Sequence, residues 1–358
     1  MFCTYREVCA LLYLRFSYRG IPMSRVRSLI VYFFLFFSSH QNFAWAGSFK
    51  VLTFNSWLLP SILGISQDSQ SRKHQMPPLL ASSDADIIAL QEVWTLNDQN
   101  FLITQMAKKG YPFSARSNGN RRRGSGCGQG ALGNGLIVFS RFEIREPAIT
   151  HPFSCYTRMD EYFAAKGVIY FEVNLPNLGW IDFYNVHLGA VSFDSKKHEW
   201  NAKQMLSLEE QGQELLQFTR ETRNNPVQVI AGDLNFHPFQ WNEKTGDYSH
   251  EHPVPFYAQL TSFHSLSNEP YVDTFHEGHP EREKAYTYDR DLNSYVSHGH
   301  FKKDPSLYSD YILINRNQSD IRVSSSGLIF DHALQETKNN PRFLSDHFGV
   351  MTVFETRE

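Results

Sequence analysis

Eight short runs rich in Val, Ile, Phe and Tyr recur along the chain, each bounded by polar or Gly/Pro residues, and most stop on a single polar side chain. They cover 49–54, 87–90, 135–139, 167–173, 180–186, 227–231, 308–314 and 349–354. Runs of this length and composition read as strands. Helical spacing appears between some of them. One such stretch is 96–109, where Asn97 and Asp98 offer a cap; the other is 198–223, punctuated by Leu206, Leu208, Leu215, Leu216 and Phe218. Strands alternating with helices restrict the chain to a layered α/β fold. Two stretches read as loops: 116–134, rich in Gly and Arg, and 273–304, rich in His, Asp, Tyr and Gly. Long loops in a compact domain are commonly functional.

The N-terminal region has a different character. After Met23 come Arg25 and Arg27, an apolar run over 29–37, and Ala44-Trp45-Ala46 before Gly47. A basic start, a short apolar stretch and a small-x-small site read as a secretory signal that starts at Met23 and is cleaved near Ala46-Gly47. The alternative is an uncleaved anchor or a buried strand. The apolar run is too short to cross a bilayer comfortably. Residues 1–46 are therefore expected to be a targeting segment, and 47–358 one soluble, secreted domain. Residues 1–46 hold five Arg and one Glu, so the 34 basic and 37 acidic side chains of the chain become 29 and 36, net −7. That balance argues against a protein that grips nucleic acid by neutralising many phosphates, although Arg121-Arg122-Arg123 survives as a local basic patch. Of four Cys, Cys127 and Cys155 fall in the exported part. They would form one disulfide or remain two free thiols.

Several polar residues stand at the ends of apolar runs. Asn55 ends FKVLTFN, Glu92 follows IIALQ, and His187 ends FYNVH. In VQVIAGDLNFHP, Asp233 and Asn235 are one residue apart. In an extended segment both would face one way, so that a carboxylate and an amide could hold one phosphate or metal. Asp310 opens the run YILIN, and Asp346 and His347 precede the last strand in LSDHFGV. A carboxylate at the end of a buried strand needs a partner, and a hard divalent cation is one. Taken singly, each residue has an ordinary structural explanation.

Taken in order, the set Asn, Glu, His, Asp-x-Asn, Asp, Asp-His resembles the endonuclease/exonuclease/phosphatase superfamily over nearly the whole of 49–354. The words LTFNSWLLP, QEVW, GNGLIVFSR, NVHLGA, AGDLNFHP and LSDHFGV resemble secreted bacterial neutral sphingomyelinases. EYFAAKGVIY is similar to a further family segment; Lys166 matches its Lys, and Glu161 stands where the family carries Asp. Cys127 and Cys155 lie roughly where secreted relatives carry a disulfide.

The resemblance implies a four-layer α/β/β/α sandwich of the deoxyribonuclease-I type, with two packed mixed sheets flanked by helices. It implies a monomeric, Mg2+-dependent phosphodiesterase that cuts sphingomyelin to ceramide and phosphocholine, with Mn2+ or Co2+ as substitutes. Glu92 would be the main metal ligand, with Asn55 and Asp346 beside it. His347 would be general base, oriented by Asp310. Asp233 and Asn235 would position phosphate or water, and His187 and Lys166 would donate to phosphoryl oxygens.

Secreted relatives dock on membranes through an exposed aromatic hairpin. Its expected counterpart here lies in 286–308, with Tyr288, Tyr295 and Phe301. No nucleic-acid partner is expected. A nuclease of the same fold would share the catalytic set, so it stands as the alternative. An inositol polyphosphate phosphatase would carry W-C-D-R, where this chain has YSDYILIN. A non-catalytic module would have a broken set, and here every member is present.

Overall fold

A computed structural model of the chain describes residues 45–60, 66–117, 133–154, 164–242, 244–245, 247–261, 271–278, 285–298, 302–315, 321–334 and 342–357. Residues 1–44 of the expected 1–46 leader, Cys127 and Cys155, the Arg121–Arg123 patch, Glu161 and Phe301 lie outside the described residues. Residues 46–358 form one compact unit.

Two six-stranded mixed sheets make its centre. The first contains β1 (Trp45–Leu58), β2 (Ile87–Val93), β3 (Phe113–Arg116), β4 (Ile137–Ser140), β15 (Ile321–Ile329) and β16 (Gly349–Arg357), in the order β15-β16-β1-β2-β4-β3. The second contains β5 (Ile144–Pro152), β6 (Gly167–Leu175), β7 (Gly179–His187), β10 (Gln228–Asp233), β13 (Tyr271–Asp273) and β14 (Asp310–Asn315), in the order β13-β14-β10-β7-β6-β5. β8 (Phe193–Asp194) pairs with β9 (Glu199–Trp200), and β11 (Phe239–Asn242) with β12 (Asp247–Pro253). β1 begins two residues ahead of the expected cleavage point.

The alternation of side chains along each strand decides the layers. Val51, Ile87, Ala89 and Val138 point from the first sheet into a core shared with Val168, Tyr170, Phe183 and Val229 of the second. Their neighbours Leu52, Phe54, Ile88, Leu90, Ile137 and Phe139 point the other way. There they meet Met76 and Leu80 of α1 (Ser69–Ser82) and Leu102 and Met106 of α2 (Leu96–Ala107). Each such apolar side chain stabilises the fold by about 1.5–3 kcal/mol. α3 (Ala202–Glu221) covers the second sheet with Leu208, Leu215, Leu216 and Phe218, and packs beside α4 (Pro255–Thr261). Helices thus lie outside both sheets, as the four-layer expectation required.

Details differ from the sequence reading where local chemistry is ambiguous. α2 is capped by Thr95, whose Oγ1 accepts from the Asp98 amide, and not by Asn97 or Asp98. The helix expected from 198 starts at 202, capped by Asn201, because Glu199 and Trp200 form β9. α1 contains Pro77 and Pro78, which hide it from a reading by helical pattern. The 273–304 stretch carries two short helices, α5 (Thr274–Gly278) and α6 (Ser294–Ser297). No described helix is long and apolar enough to cross a membrane.

Candidate active site

The strand registers bring distant residues into one row. β10 runs parallel to β7 with Asp233 opposite His187, and antiparallel to β14 with Asp233 opposite Asp310. Three polar residues therefore stand side by side at one end of the second sheet. Gly232 makes this approach possible, because a Cβ there would collide with the carbonyl of Val186 on β7. Gly232→Ala is expected to part β10 from β7 and to destabilise the fold by about 1–3 kcal/mol, the usual cost of overpacking. A denaturant melt measures it, and an unchanged midpoint would refute the argument.

On the first sheet β1 and β2 pair in parallel with Asn55 opposite Gln91, and the register breaks between Asn55 and Leu58. Glu92 and Trp57 have φ of 60° and 49° there. Left-handed backbone at non-glycine residues is costly and concentrates at functional sites. The irregularity turns Glu92 out of the pleat towards Asn55, whose Nδ2 donates to Glu92 Oε1 at 3.2 Å and to Asp233 Oδ2 at 2.9 Å. One amide thereby joins the two sheets at the site. Beneath it a second buried link does the same: Gln91 Nε2 donates to Asn185 Oδ1 at 2.8 Å. The indole of Trp94 lies 3.5 Å from Glu92 Oε2 and packs near His187. Gly135 leaves room for that ring, since a Cβ would lie 2.9 Å from it.

His347 comes in from the turn before β16. Its Nδ1 is 2.8 Å from Asp310 Oδ2, and its Nε2 is 4.0 Å from Asp233 Oδ2. His187 Nε2 is 3.4 Å from the same Asp233 oxygen. Ligand atoms of Asp233, Asp310 and His347 all fall within 4.8 Å of one another. Both ring nitrogens of His187 and Asp310 Oδ1 are buried with no protein hydrogen bond among the described residues. Orphaned buried polar atoms are rare, and at a site they mark positions for a ligand.

Electrostatics follows from burial and charge. Burial alone would push Asp233 up, but contact with His187 and the charges of His347 and Lys166 outweigh it and hold it below the usual carboxylate range. Burial pushes Asp346 up to about 7, and the neighbouring Glu92 charge adds to the rise. Burial opposes a charge on His347, yet Asp310, Asp233 and Asp346 prevail and lift it to about 10. The field responsible is that of carboxylates with too little positive charge among them, so a cation bound there reduces it.

Asn55, Glu92, His187, Asp233, Asp310, Asp346 and His347 are thus gathered at one end of the two sheets. Lys166, just before β6, is buried and within electrostatic reach of Asp233. Asn235 is placed by a different rule from the one anticipated. β10 ends at Asp233, and Asn235 has a φ of 53°, so the two are not on one face of an extended strand. They are tied instead by a turn, in which the Asn235 amide donates to Asp233 Oδ1 at 2.9 Å. Asn235 Nδ2 in turn donates to Leu188 O at 2.9 Å.

Two of the three aromatic residues named in the expected docking segment 286–308, Tyr288 and Tyr295, are buried, while Phe301 lies outside the described residues. Tyr295 is 3% exposed and packs with Trp57, Phe343 and Phe348, while Tyr288 lies against the His347 ring. Tyr295 is held inside by Trp57, Phe343 and Phe348, and its hydroxyl donates to Asp68 Oδ2 at 3.3 Å. Tyr295→Ser is expected to cost about 3–5 kcal/mol of stability, as for other deleted core aromatics. It should do so without singling out liposomal over soluble substrate; a selective loss on liposomes would reverse this reading.

Sequence reasoning overlooked several supporting residues. Thr287 Oγ1 accepts from the amides of Ser309 and Asp310, and Ser345 Oγ donates to Asp346 Oδ1. Asn293 Nδ2 donates to Ser345 O at 2.9 Å. Apart from Ser345, which lies inside LSDHFGV, none sits in a recognisable pattern.

At one end of a two-sheet α/β sandwich, the buried Asp233, Asp310 and His347 form a carboxylate–histidine cluster that could hold a metal ion. A model of the Endonuclease/Exonuclease/phosphatase family matches residues 52–347, and the chain belongs to that family. Among curated proteins it is 29% identical over 195 residues to a putative neutral sphingomyelinase of Drosophila melanogaster, covering 53% of this chain and 39% of that protein. It is 28% identical to mouse sphingomyelin phosphodiesterase 2, covering 53% and 42%. The chain therefore spans about two-fifths of the length of these relatives.

Solved structures share the fold at lower identity. The crystal structure of SmcL superposes with a TM-score of 0.58 at 20% identity, covering 87% of this chain and 99% of that one. A Staphylococcus aureus beta toxin variant with bound magnesium ions gives 0.58 at 15%, covering 86% and 99%. D. rerio TDP2 complexed with a single-stranded DNA product gives 0.57 at 15%, covering 87% and 100%.

Proposed function

We propose that the protein is an exported, divalent-metal-dependent phosphodiesterase that hydrolyses sphingomyelin to ceramide and phosphocholine. The observation that carries the chemistry is the His347–Asp310 pair at 2.8 Å, with His347 Nε2 directed to the side of Asp233. The lipid substrate rests on the sphingomyelinase-like words of the sequence and on the similarity to named sphingomyelinases.

The donor set suits a hard cation. Glu92, Asp346 and Asn55 supply oxygen ligands, and the mutual repulsion of the two carboxylates, one of them buried, is what a cation relieves. Mg2+ is the proposed ion. Held there, it would withdraw charge from phosphoryl oxygen and stabilise the departing alkoxide.

The chain's own groups do the rest. Neutral His347 takes a proton from the attacking water at Nε2, while Asp310 fixes the proton on Nδ1 and with it the tautomer. Water oxygen bonds to phosphorus, the bond from phosphorus to the ceramide oxygen breaks, and no covalent intermediate with the enzyme forms. His187, whose Nε2 lies 3.4 Å from Asp233 Oδ2, and Lys166 donate to phosphoryl oxygens as charge builds there. Asp233 and Asn235 hold the water and phosphate in line.

The test is phosphocholine release from sphingomyelin liposomes, with Mg2+ and with EDTA, beside plasmid nicking. Metal-dependent release without nicking is the expected result. Nicking without phosphocholine would keep the metal site and move the substrate to nucleic acid.

A further inference from the structure

Arg72 is 1% exposed, in a helix of otherwise unremarkable polarity. Its Nε donates to Gln67 O at 2.9 Å. Nη1 donates to Ser56 O at 2.8 Å and to Leu344 O at 3.0 Å. Nη2 donates to Trp57 O and to Ser66 Oγ, both at 2.6 Å. A guanidinium has five N–H groups in a fixed fork, and here all five are used. The rings of Trp57 and Tyr295 lie 4.9 and 5.8 Å from its Cζ.

The acceptors matter because of what they adjoin. Ser56 and Trp57 follow Asn55, and the Trp57 amide donates to Asn55 Oδ1 at 3.1 Å. That bond fixes the amide so that Nδ2 points to Glu92 and Asp233. Leu344 precedes Ser345, whose hydroxyl donates to Asp346 Oδ1 at 3.1 Å and accepts from the His347 amide at 3.3 Å. Ser56 and Leu344 are 288 residues apart, and the same Nη1 binds both carbonyls. The left-handed turn at Trp57 is held by Nη2 at its carbonyl.

We propose that Arg72 is a positioning residue that clamps the end of β1 to the segment before β16, and so sets the spacing of Asn55 and Glu92 relative to Asp346 for a divalent cation. This rests on the metal-dependent reading above. Arg72 makes no hydrogen bond to the site carboxylates, although Asp346 and Glu92 feel its charge; it acts through the backbone of the two segments it joins, and Arg72→Lys keeps the charge while removing that bonding. A lysine retains the charge but cannot reach five acceptors.

Calorimetric titration of Mg2+ into the full chain without substrate, beside a melt with and without Mg2+, tests the proposal. Arg72→Lys and Arg72→Gln are compared with wild type, and Tyr295→Phe, which keeps the ring, is the control. Arg72→Lys should melt cooperatively and bind Mg2+ about 10–100-fold more weakly, the usual effect of removing a group that orients metal ligands. Arg72→Gln also removes a charge felt by Asp346 and Glu92, so Arg72→Lys is the deciding variant; Tyr295→Phe should bind as wild type, and saturating Mg2+ should recover part of kcat in Arg72→Lys. Wild-type Mg2+ affinity in cooperatively folded Arg72→Lys would overturn the positioning role alone. If neither Arg72 variant melts cooperatively, the residue serves folding and the proposal is also overturned. No Mg2+ binding by wild type would sink the metal-dependent reading itself, and the clamp with it.

Discussion

Replacing His347 by alanine is expected to lower kcat for sphingomyelin cleavage by about 10²–10⁴-fold, the usual worth of a positioned general base. KM and the Mg2+ requirement should change little. His347 is the one ring that joins Asp310 at Nδ1 and faces Asp233 at Nε2. No other described histidine is paired to a carboxylate in that way at the site. The fold should survive, because burial already pushes Asp310 up and it can take a proton once the imidazole is gone. Phosphocholine release under saturating Mg2+, with a melt of the same sample, measures both quantities. Partial rescue by added imidazole would strengthen the assignment; a rate within a few-fold of wild type would remove His347 from the mechanism. Asp310→Asn offers a finer check, since it keeps the ring in place but no longer favours the required tautomer.

Glu92→Gln is expected to abolish metal-dependent activity and the gain in melting temperature that Mg2+ confers. The glutamine oxygen can keep the hydrogen bond from Asn55, so the variant removes the charge and only the long 3.5 Å contact with the Trp94 indole. In the absence of metal the variant should be at least as stable as wild type, because Glu92 and Asp346 repel one another across the site. Wild type should gain stability with Mg2+ by mass action, and the variant should not. Two melts of each protein, with Mg2+ and with EDTA, decide the matter. An Mg2+-induced shift of equal size in both would mean that the cation is held elsewhere, and the cluster of Asp233, Asp310 and His347 would be the next place to look.

The members of the site were legible because each is announced locally. Asn55, Glu92, His187 and Asp233 stand where an apolar run gives out, and Asp310 where one begins. Such positions lie at sheet ends, where side chains are free to do chemistry. Strand periodicity points to Asn235 only if β10 is extended two residues past Asp233, and the turn that holds it depends instead on a side-chain hydrogen bond. Tyr288 and Tyr295 were misplaced because an aromatic residue in a polar stretch looks exposed until its partners are known. Trp57, Phe343 and Phe348 come from two remote segments and bury Tyr295.

By itself, then, the sequence determined the layered α/β class, the strands and the chemical types at their ends, because strand periodicity and the interruption of apolar runs are properties of neighbouring residues. Tertiary structure decided which of those ends meet. The registers that align His187, Asp233 and Asp310, the amide of Asn55 that crosses between the sheets, and the Arg72 clamp join segments as much as 288 residues apart. The registers arise from strand pairing within the second sheet and the Asn55 link from the packing of one sheet on the other, and neither kind of contact is a property of neighbouring residues.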